Sequence, residues 1–251
     1  MEEFAKLVEL MATLRGERGC RWDKKQTIHS FKTFLVEEVY ELIDAIEKED
    51  YYQIKEELGD LLFHIIFISQ ICKEKSAFDI KDVLNFTYNK MFNRHPHVFL
   101  ENNPDAPIEK RWEEIKKTEK EDYSPIDNIP KMLPALLRAY TLTKRAAKVG
   151  FDWPSIKGVY AKLDEELEEL RNAESKGDVQ GIREEIGDIL FTMVNISRFH
   201  GIDPEDALRS TVEKFIRRFR YIEKHIDLSK SDLTVMDKLW DEIKYMEKEG
   251  E

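Results

Sequence analysis

The sequence is poor in residues that interrupt helices or cross-link chains. Its 251 residues include ten glycines, eight prolines and two cysteines, whereas charged residues make up 36%. Two cysteines, Cys20 and Cys72, cannot form a zinc site by themselves and imply no disulfide framework, so we interpret them as packing or loop residues. The composition favours long, charged, amphipathic helices over sheets.

Long apolar runs and an excess of basic residues are also missing. No apolar stretch approaches about 18 residues, and the acidic start at Met1–Phe4 does not resemble a signal peptide. The net charge of −11 argues against stable nucleic-acid binding, because such proteins normally carry a basic surface. We therefore predict a cytoplasmic protein that neither enters a membrane nor holds a nucleic acid.

The most informative feature is an internal repeat. The acidic segment 37–42 (EEVYEL) recurs 128 residues later at 165–170 (EELEEL). The segment 56–63 (EELGDLLF) recurs at the same offset at 184–191 (EEIGDILF). Two copies of about 120 residues indicate two domains, because a solenoid would need more and shorter repeats.

The repeat also predicts the domain boundary and the fold class. We place the domains at 1–124 and 125–251, because the polar, proline-containing stretch 123–130 lacks helical periodicity. No alternating pattern indicates a strand, so the predicted fold is all-α, with two tandem bundles of about four to five helices each. The predicted helices are 2–15, 28–48, 52–74, 79–93 and 108–121, then 131–148, 156–175, 179–200, 204–225 and 233–248.

Acidic residues cluster on the helix predicted around residue 40. Glu37, Glu38 and Glu41 fall within about 100° of one another, beside an apolar stripe. Taken alone, such an arc is typical of an ordinary solvated face, so the neighbouring helix decides the interpretation.

That next helix is apolar almost all round from Leu58 to Ile68, and we therefore expect it to be largely buried. Glu57 and Asp60 nevertheless lie on it, about 60° apart on a stripe that His64 extends. Buried carboxylates that face further acids repel one another unless a cation joins them, and Mg²⁺ prefers oxygen ligands of this kind. The pattern therefore indicates a magnesium site between the two helices.

The same acids recur in the second repeat at the same spacing. They are Glu165, Glu166, Glu169, Glu185 and Asp188. Surface acids without a function can persist in a duplicated chain, but the retention of all five among changed neighbours favours a metal site.

Basic and aromatic residues follow the acids in both repeats. In the second repeat, Lys214 and Arg218 share one helix face, and so do Trp240 and Lys244. The cations suit phosphate oxygens and the indole suits a base or ribose, whereas surface Lys–Glu bridges and a core tryptophan are the alternatives. The first repeat has the corresponding residues Lys90, Arg94, Trp112 and Lys116. The sequence contains no P-loop pattern.

One difference between the repeats concerns a polar residue on the acid stripe. Asn195 follows Asp188 by seven residues, which returns it to within about 20° of the same face. Its amide could hold a ligand, a water or the sugar, and simple capping or packing is the alternative. Because the first repeat has Phe67 at this place and extra residues around 73–76, we expect the second repeat to carry the better-formed site.

Together these features resemble the MazG-type nucleoside triphosphate pyrophosphohydrolases of the all-α NTP pyrophosphatase group. Besides the acid patterns, segments 19–27 (GCRWDKKQT), 133–136 (LPAL) and 146–153 (AAKVGFDW) are similar to that family's signatures. The resemblance covers nearly the whole chain. It implies cleavage of NTPs or dNTPs between the α- and β-phosphates, bound Mg²⁺ with Mn²⁺ as an alternative, and a homodimer.

The resemblance also implies roles by position. The metal ligands would be Glu166, Glu169, Glu185 and Asp188, with Glu38, Glu41, Glu57 and Asp60 in the first repeat. Glu165 is implied as a ligand or as the group that positions the metal-activated water for attack on the α-phosphorus. The substrate-contacting positions would be Lys214, Arg218, Trp240 and Lys244.

Two other interpretations stay open at the level of the sequence. One is a pyrophosphohydrolase for a single narrow substrate, such as a phosphoribosyl-nucleotide or an alarmone. The other is an acidic helical scaffold that binds a protein partner. A scaffold would explain the charged helices but not the acids within apolar ones.

Overall fold

The computed structural model describes residues 2–100 and 124–249. These ranges contain eleven helices and no strand, which confirms the predicted all-α fold. The first range contains α1 (Glu2–Arg15), α2 (Arg21–Lys25), α3 (Ile28–Glu47), α4 (Tyr51–Glu74), α5 (Ile80–Arg94) and α6 (Pro96–Phe99). The second contains α7 (Ala135–Lys148), α8 (Ile156–Lys176), α9 (Val179–Phe199), α10 (Pro204–His225) and α11 (Leu233–Glu249). The predicted helix 108–121 lies outside the described residues.

One helix boundary differs from the prediction for a local reason, and an insertion sets the length of a second helix, whose end at residue 74 agrees with the prediction. Helix α7 begins at Ala135 and not at 131. Pro134 disfavours the helical conformation at the residue before it, Leu133, so the helix begins after the proline. The extra residues of the first repeat around 73–76 continue α4 to Glu74 before the chain turns at Ser76. The insertion therefore lengthens a helix that carries site residues.

In each repeat, a two-helix hairpin places the acidic helices side by side. Asp50 caps α4 by accepting hydrogen bonds from the backbone N–H groups of Tyr52 and Gln53, at 3.0 and 3.2 Å. Gly177 ends α8 in the left-handed conformation, and Asp178 then caps α9. Because the connections are so short, the paired helices run antiparallel and their acids lie at matching heights.

The chain divides into two compact units, Met1–Glu119 and Lys120–Glu251, and the exact boundary at 124/125 stays a prediction. In the first unit, α4 packs against α1, α3 and α5 around a core of Met11, Phe31, Ile66, Phe67, Ile71 and Ile80. In the second unit, α9 packs against α7, α8 and α10, and α10 packs against α11. Each unit thus places its acidic hairpin beside further helices.

The expectation that the apolar helix 58–68 is largely buried is wrong for the single chain. Ile66 and Phe67 are buried, whereas Leu58, Leu62 and Ile65 are exposed, because neighbouring helices cover only one side of α4. Helix α9 likewise exposes Ile186, Leu190, Phe191 and Met193. Among the described residues, no helix has the length and apolar character that crossing a membrane requires.

Candidate metal and phosphate site

Three acids converge between α8 and α9 of the second unit. One carboxylate oxygen from each of Glu166, Glu185 and Asp188 lies within 4.8 Å of the others. Glu166 is 4% exposed, whereas Asp188 faces solvent. Besides burial, the charge of the nearby Glu169 raises the pKa of Glu185. The structure thus brings together four of the predicted acids, and one face of the group is open.

A lysine that the sequence analysis missed neutralises part of this group. Lys162 Nζ lies 2.7 Å from Oε1 of Glu165 and 2.7 Å from Oε1 of Glu166. The positions are three and four residues apart on α8, so the i,i+3 and i,i+4 spacing was the available signal. The first repeat has Phe34 at the corresponding position. The acid site of the second unit therefore has a cation of its own.

The titration of these acids reflects their crowding. Burial by itself raises the pKa of Glu166, but hydrogen bonds and charge from Lys162 hold that pKa below its ordinary value. Burial and then the charge of Glu169 raise the pKa of Glu185. Oε2 of Glu185 is also buried and has no hydrogen-bond partner among the described residues. A shielded carboxylate oxygen without a partner, beside further acids, fits a hard divalent cation.

The first unit has a related acid group with a different composition. One oxygen from each of Glu38, Glu41 and Glu57 lies within 4.8 Å of the others, while Asp60 lies outside this set. Burial, followed by the charges of Asp60, Glu41 and Glu57, raises the pKa of Glu38 to about 7. Behind the group, His64 is buried and packs edge-on against a core phenylalanine. The acids of this unit thus repel one another more strongly.

The predicted phosphate and base contacts lie on α10 and α11. Arg218 stands 5.5 Å from the centre of the Trp240 ring, and Lys214 is on the same helix one turn earlier. Lys244 is exposed on α11. The structure therefore brings Arg218 and Trp240 together as an aromatic and cationic surface. In the first unit, Lys90 and Arg94 lie on α5, and Trp112 and Lys116 lie outside the described residues.

Asn195 occupies a more enclosed position than a substrate contact would need. It is 1% exposed, donates a hydrogen bond to the Phe191 carbonyl at 3.1 Å, and accepts one from Arg198 at 3.2 Å. Arg198 in turn forms two hydrogen bonds to Asp152, at 2.8 and 2.5 Å. In this structure Asn195 packs and orients Arg198, and contact with substrate stays a prediction.

Arginine ion pairs connect the loop segments singled out in the sequence to the second acidic helix of each unit, which is α4 in the first unit and α9 in the second. In the second unit, Asp152 fixes the segment 146–153 to α9 through Arg198. In the first, Arg15 binds Glu74 of α4 and the carbonyl of Asp23. The acid of the ion pair therefore lies on the acidic helix in the first unit, whereas the arginine lies on it in the second.

Comparisons with known proteins agree with this geometry. The MazG nucleotide pyrophosphohydrolase domain matches twice, at residues 26–99 and 155–222, which include both acidic hairpins. A Thermotoga maritima protein named nucleoside triphosphate pyrophosphohydrolase/pyrophosphatase MazG is 43% identical over 250 residues, covering 96% of this chain and 95% of its own. An Escherichia coli nucleoside triphosphate pyrophosphohydrolase is 39% identical, covering 98% and 99%. The chain therefore belongs to the MazG family of nucleotide pyrophosphohydrolases.

Proposed function

We propose that the second unit hydrolyses nucleoside triphosphates between the α- and β-phosphates and releases pyrophosphate, with Mg²⁺ held by its acids. The observation that supports this most directly is the buried, unpartnered Oε2 of Glu185 within the group that Glu166 and Asp188 complete. Family membership makes the chain an enzyme, and it leaves the scaffold alternative without support.

The proposed ligands are Glu166, Glu169, Glu185 and Asp188. Their carboxylates offer hard oxygen donors, and the open side of the group at Asp188 leaves room for phosphate oxygens. When bound, the cation would lower the pKa of a water and neutralise charge on the triphosphate, and Mn²⁺ would serve similarly.

The remaining groups of the site would position substrate and move a proton. Glu165 is the proposed proton acceptor, because it is exposed at the edge of the group. Its ion-pair partner Lys162 would bind a phosphate oxygen of the substrate instead, which would leave the Glu165 carboxylate available to accept a proton. Lys214 and Arg218 would bind the departing pyrophosphate, and Trp240 would stack on the base or ribose. Lys244 is a further proposed phosphate contact.

In this proposal, the acid site of the second unit is better formed than the related site of the first unit. The first retains acids that could hold a metal, namely Glu38, Glu41, Glu57 and Asp60. It lacks the lysine at position 34, and its closest acid set does not include Asp60. We therefore expect most of the activity from the second unit.

A homodimer is also proposed. Ile186, Leu190 and Met193 are exposed on α9 at i, i+4 and i+7 spacing, which forms an apolar stripe along one face. A second copy of the chain would cover such a stripe, and sedimentation of the purified protein tests this. The proposed place of action is the cytoplasm.

The direct test of the reaction is an assay of the whole chain with a panel of ribo- and deoxyribonucleoside triphosphates and Mg²⁺. Pyrophosphate should be the first phosphorus-containing product beside the monophosphate, and excess EDTA should abolish its release. Orthophosphate as the first product, or full turnover in EDTA, would contradict the proposal. The same panel distinguishes a broad enzyme from one with a single narrow substrate.

A further inference from the structure

One acid on the C-terminal helix joins two neighbouring arginines of α10. Oε1 of Glu247 lies 2.7 Å from Nε of Arg217, and its Oε2 lies 2.8 Å from Nε of Arg218. The side chains of Glu247 and Arg218 are only 20% and 17% exposed, whereas that of Arg217 is 61% exposed. The contact with Arg218 is therefore the better shielded of the two ion pairs.

The same arginine also faces an aromatic ring, so its position is defined from two sides. The guanidinium carbon of Arg218 lies 5.5 Å from the centre of the Trp240 ring. Trp240 in turn packs against Phe215, with the two ring centres 5.3 Å apart. The contact with Glu247 uses the Nε–H of Arg218. The guanidinium carries four further N–H donors on its two Nη atoms, and these are the donors that suit a phosphate group.

We infer that Glu247 is a positioning residue for Arg218, holding its guanidinium over Trp240 so that the Nη groups face the triphosphate; this inference rests on the proposed function. A carboxylate suits this role because each of its two oxygens accepts one N–H and its charge strengthens both hydrogen bonds, whereas a carboxamide offers one uncharged oxygen. Without Glu247, the long arginine side chain regains rotamers that point away from the substrate.

The sequence repeat supports the pairing of Glu247 with Arg218 in particular. Glu247 follows Trp240 by seven residues, and Glu119 follows Trp112 by the same interval in the first repeat. The first repeat also has Arg94 in place of Arg218, but Asn93 in place of Arg217. The arginine that both repeats share is therefore the one that contacts Trp240.

The test uses Glu247→Gln in the full chain with Mg²⁺ and the best triphosphate substrate. We expect KM and the inhibition constant for pyrophosphate each to rise by about five- to tenfold, while kcat changes less than about twofold. An unchanged KM would overturn the inference. A lower KM would also overturn it, because it would show that Glu247 competes with substrate for Arg218.

Two matched variants separate positioning from general effects of charge. Arg217→Gln removes the exposed partner and leaves Glu247 to Arg218, so KM should stay close to that of the unchanged protein. Glu223→Gln removes an exposed acid of α10 and should also leave KM unchanged. If Glu223→Gln raises KM as much as Glu247→Gln does, the effect is one of net charge, and if Arg217→Gln does so, Glu247 acts through Arg217. Either result overturns the inference.

A double-mutant cycle tests whether Glu247 acts through Arg218. In an Arg218→Gln background, Glu247→Gln should cause no further rise in KM, and an equal further rise would contradict the inference. Should Glu247→Gln fold poorly by circular dichroism, Glu247→Asp takes its place, since it retains the charge but is too short to reach both arginines. A fully active Glu247→Gln refutes this inference alone, whereas an unchanged protein that releases no pyrophosphate refutes the proposed function.

Discussion

Lys162 Nζ lies 2.7 Å from Oε1 of Glu166, at the helix position where the first repeat has Phe34. This difference contributes to the contrast in electrostatics between two related acid groups. The pKa of Glu166 is held below its ordinary value, whereas the pKa of Glu38, its counterpart, is raised to about 7. The duplicated sites therefore differ in how much a bound metal would relieve repulsion.

Lys162→Met should make the second unit depend more strongly on metal. Without the ammonium group, the acids repel one another in EDTA, so the unfolding temperature in EDTA should fall. Mn²⁺ should then bind more tightly, by roughly two- to fivefold, the range expected for a partly exposed charge contact. Thermal melts with a Mn²⁺ titration measure both. The control is Lys48→Met, which breaks the exposed pair with Asp44 and should change neither quantity.

Glu185→Gln should reduce kcat by on the order of 100-fold, because it removes a group that holds charge in the transition state. Its fold should be retained or stabilised, since a crowded acid becomes neutral. Steady-state kinetics of the full chain measure the effect. The matched control is Glu57→Gln in the first unit, 128 residues earlier, which should leave most activity. The assignment is wrong if the control is the more damaging variant.

The stability of the metal-free first unit should depend on pH through Glu38. Its pKa is raised from 4.5 to about 7 by burial and by Asp60, Glu41 and Glu57. The folded state therefore binds more protons between these values, and the free energy of unfolding should fall as pH rises from about 4.5 to 7. Denaturant titrations in EDTA should show a shallower fall for Glu38→Gln. Identical pH profiles would contradict this prediction.

Asp152→Asn should lower the free energy of unfolding by about 1–3 kcal/mol, because it leaves the shielded guanidinium of Arg198 without its carboxylate. A hydrogen bond from Arg198 holds the pKa of Asp152 below its ordinary value. This stabilisation is therefore fully present at a pH above the ordinary pKa of the carboxyl group, and it is lost as the pH falls through the lowered pKa of the folded state. Denaturant unfolding at neutral pH measures the loss. Asp206→Asn, in an exposed pair with Arg209, should cost less than about 0.5 kcal/mol.

Helix positions and the pairing of acidic helices could be predicted from the sequence because they depend on local chemistry. Asp50 and Asp178 cap the second helix of each hairpin, and Asp203 followed by Pro204 begins α10 as its sequence indicates. The repeat at an offset of 128 residues then predicts that the same acids face each other twice. The structure has both acid groups where these rules place them.

The composition of each acid group depended on the tertiary structure. Helical periodicity defines the face on which Asp60 and Asp188 lie, but only the folded structure shows that Asp188 joins the closest three acids of its unit and that Asp60 does not. The side chains of Lys162 and Glu247 have many rotamers, and only the groups packed around them select one.

Burial, too, was decided by neighbouring helices rather than by the sequence of one helix. Helix α4 is apolar almost all round, yet Leu62 is exposed, because the helices of one chain cover one side of it. Periodicity places Asn195 on the acid stripe, but its side chain is buried and accepts a hydrogen bond from Arg198, which is itself paired with Asp152. The sequence by itself determined which residues share a helix face; the packing of helix against helix determined what that face meets, because burial and pairing depend on atoms distant in the chain.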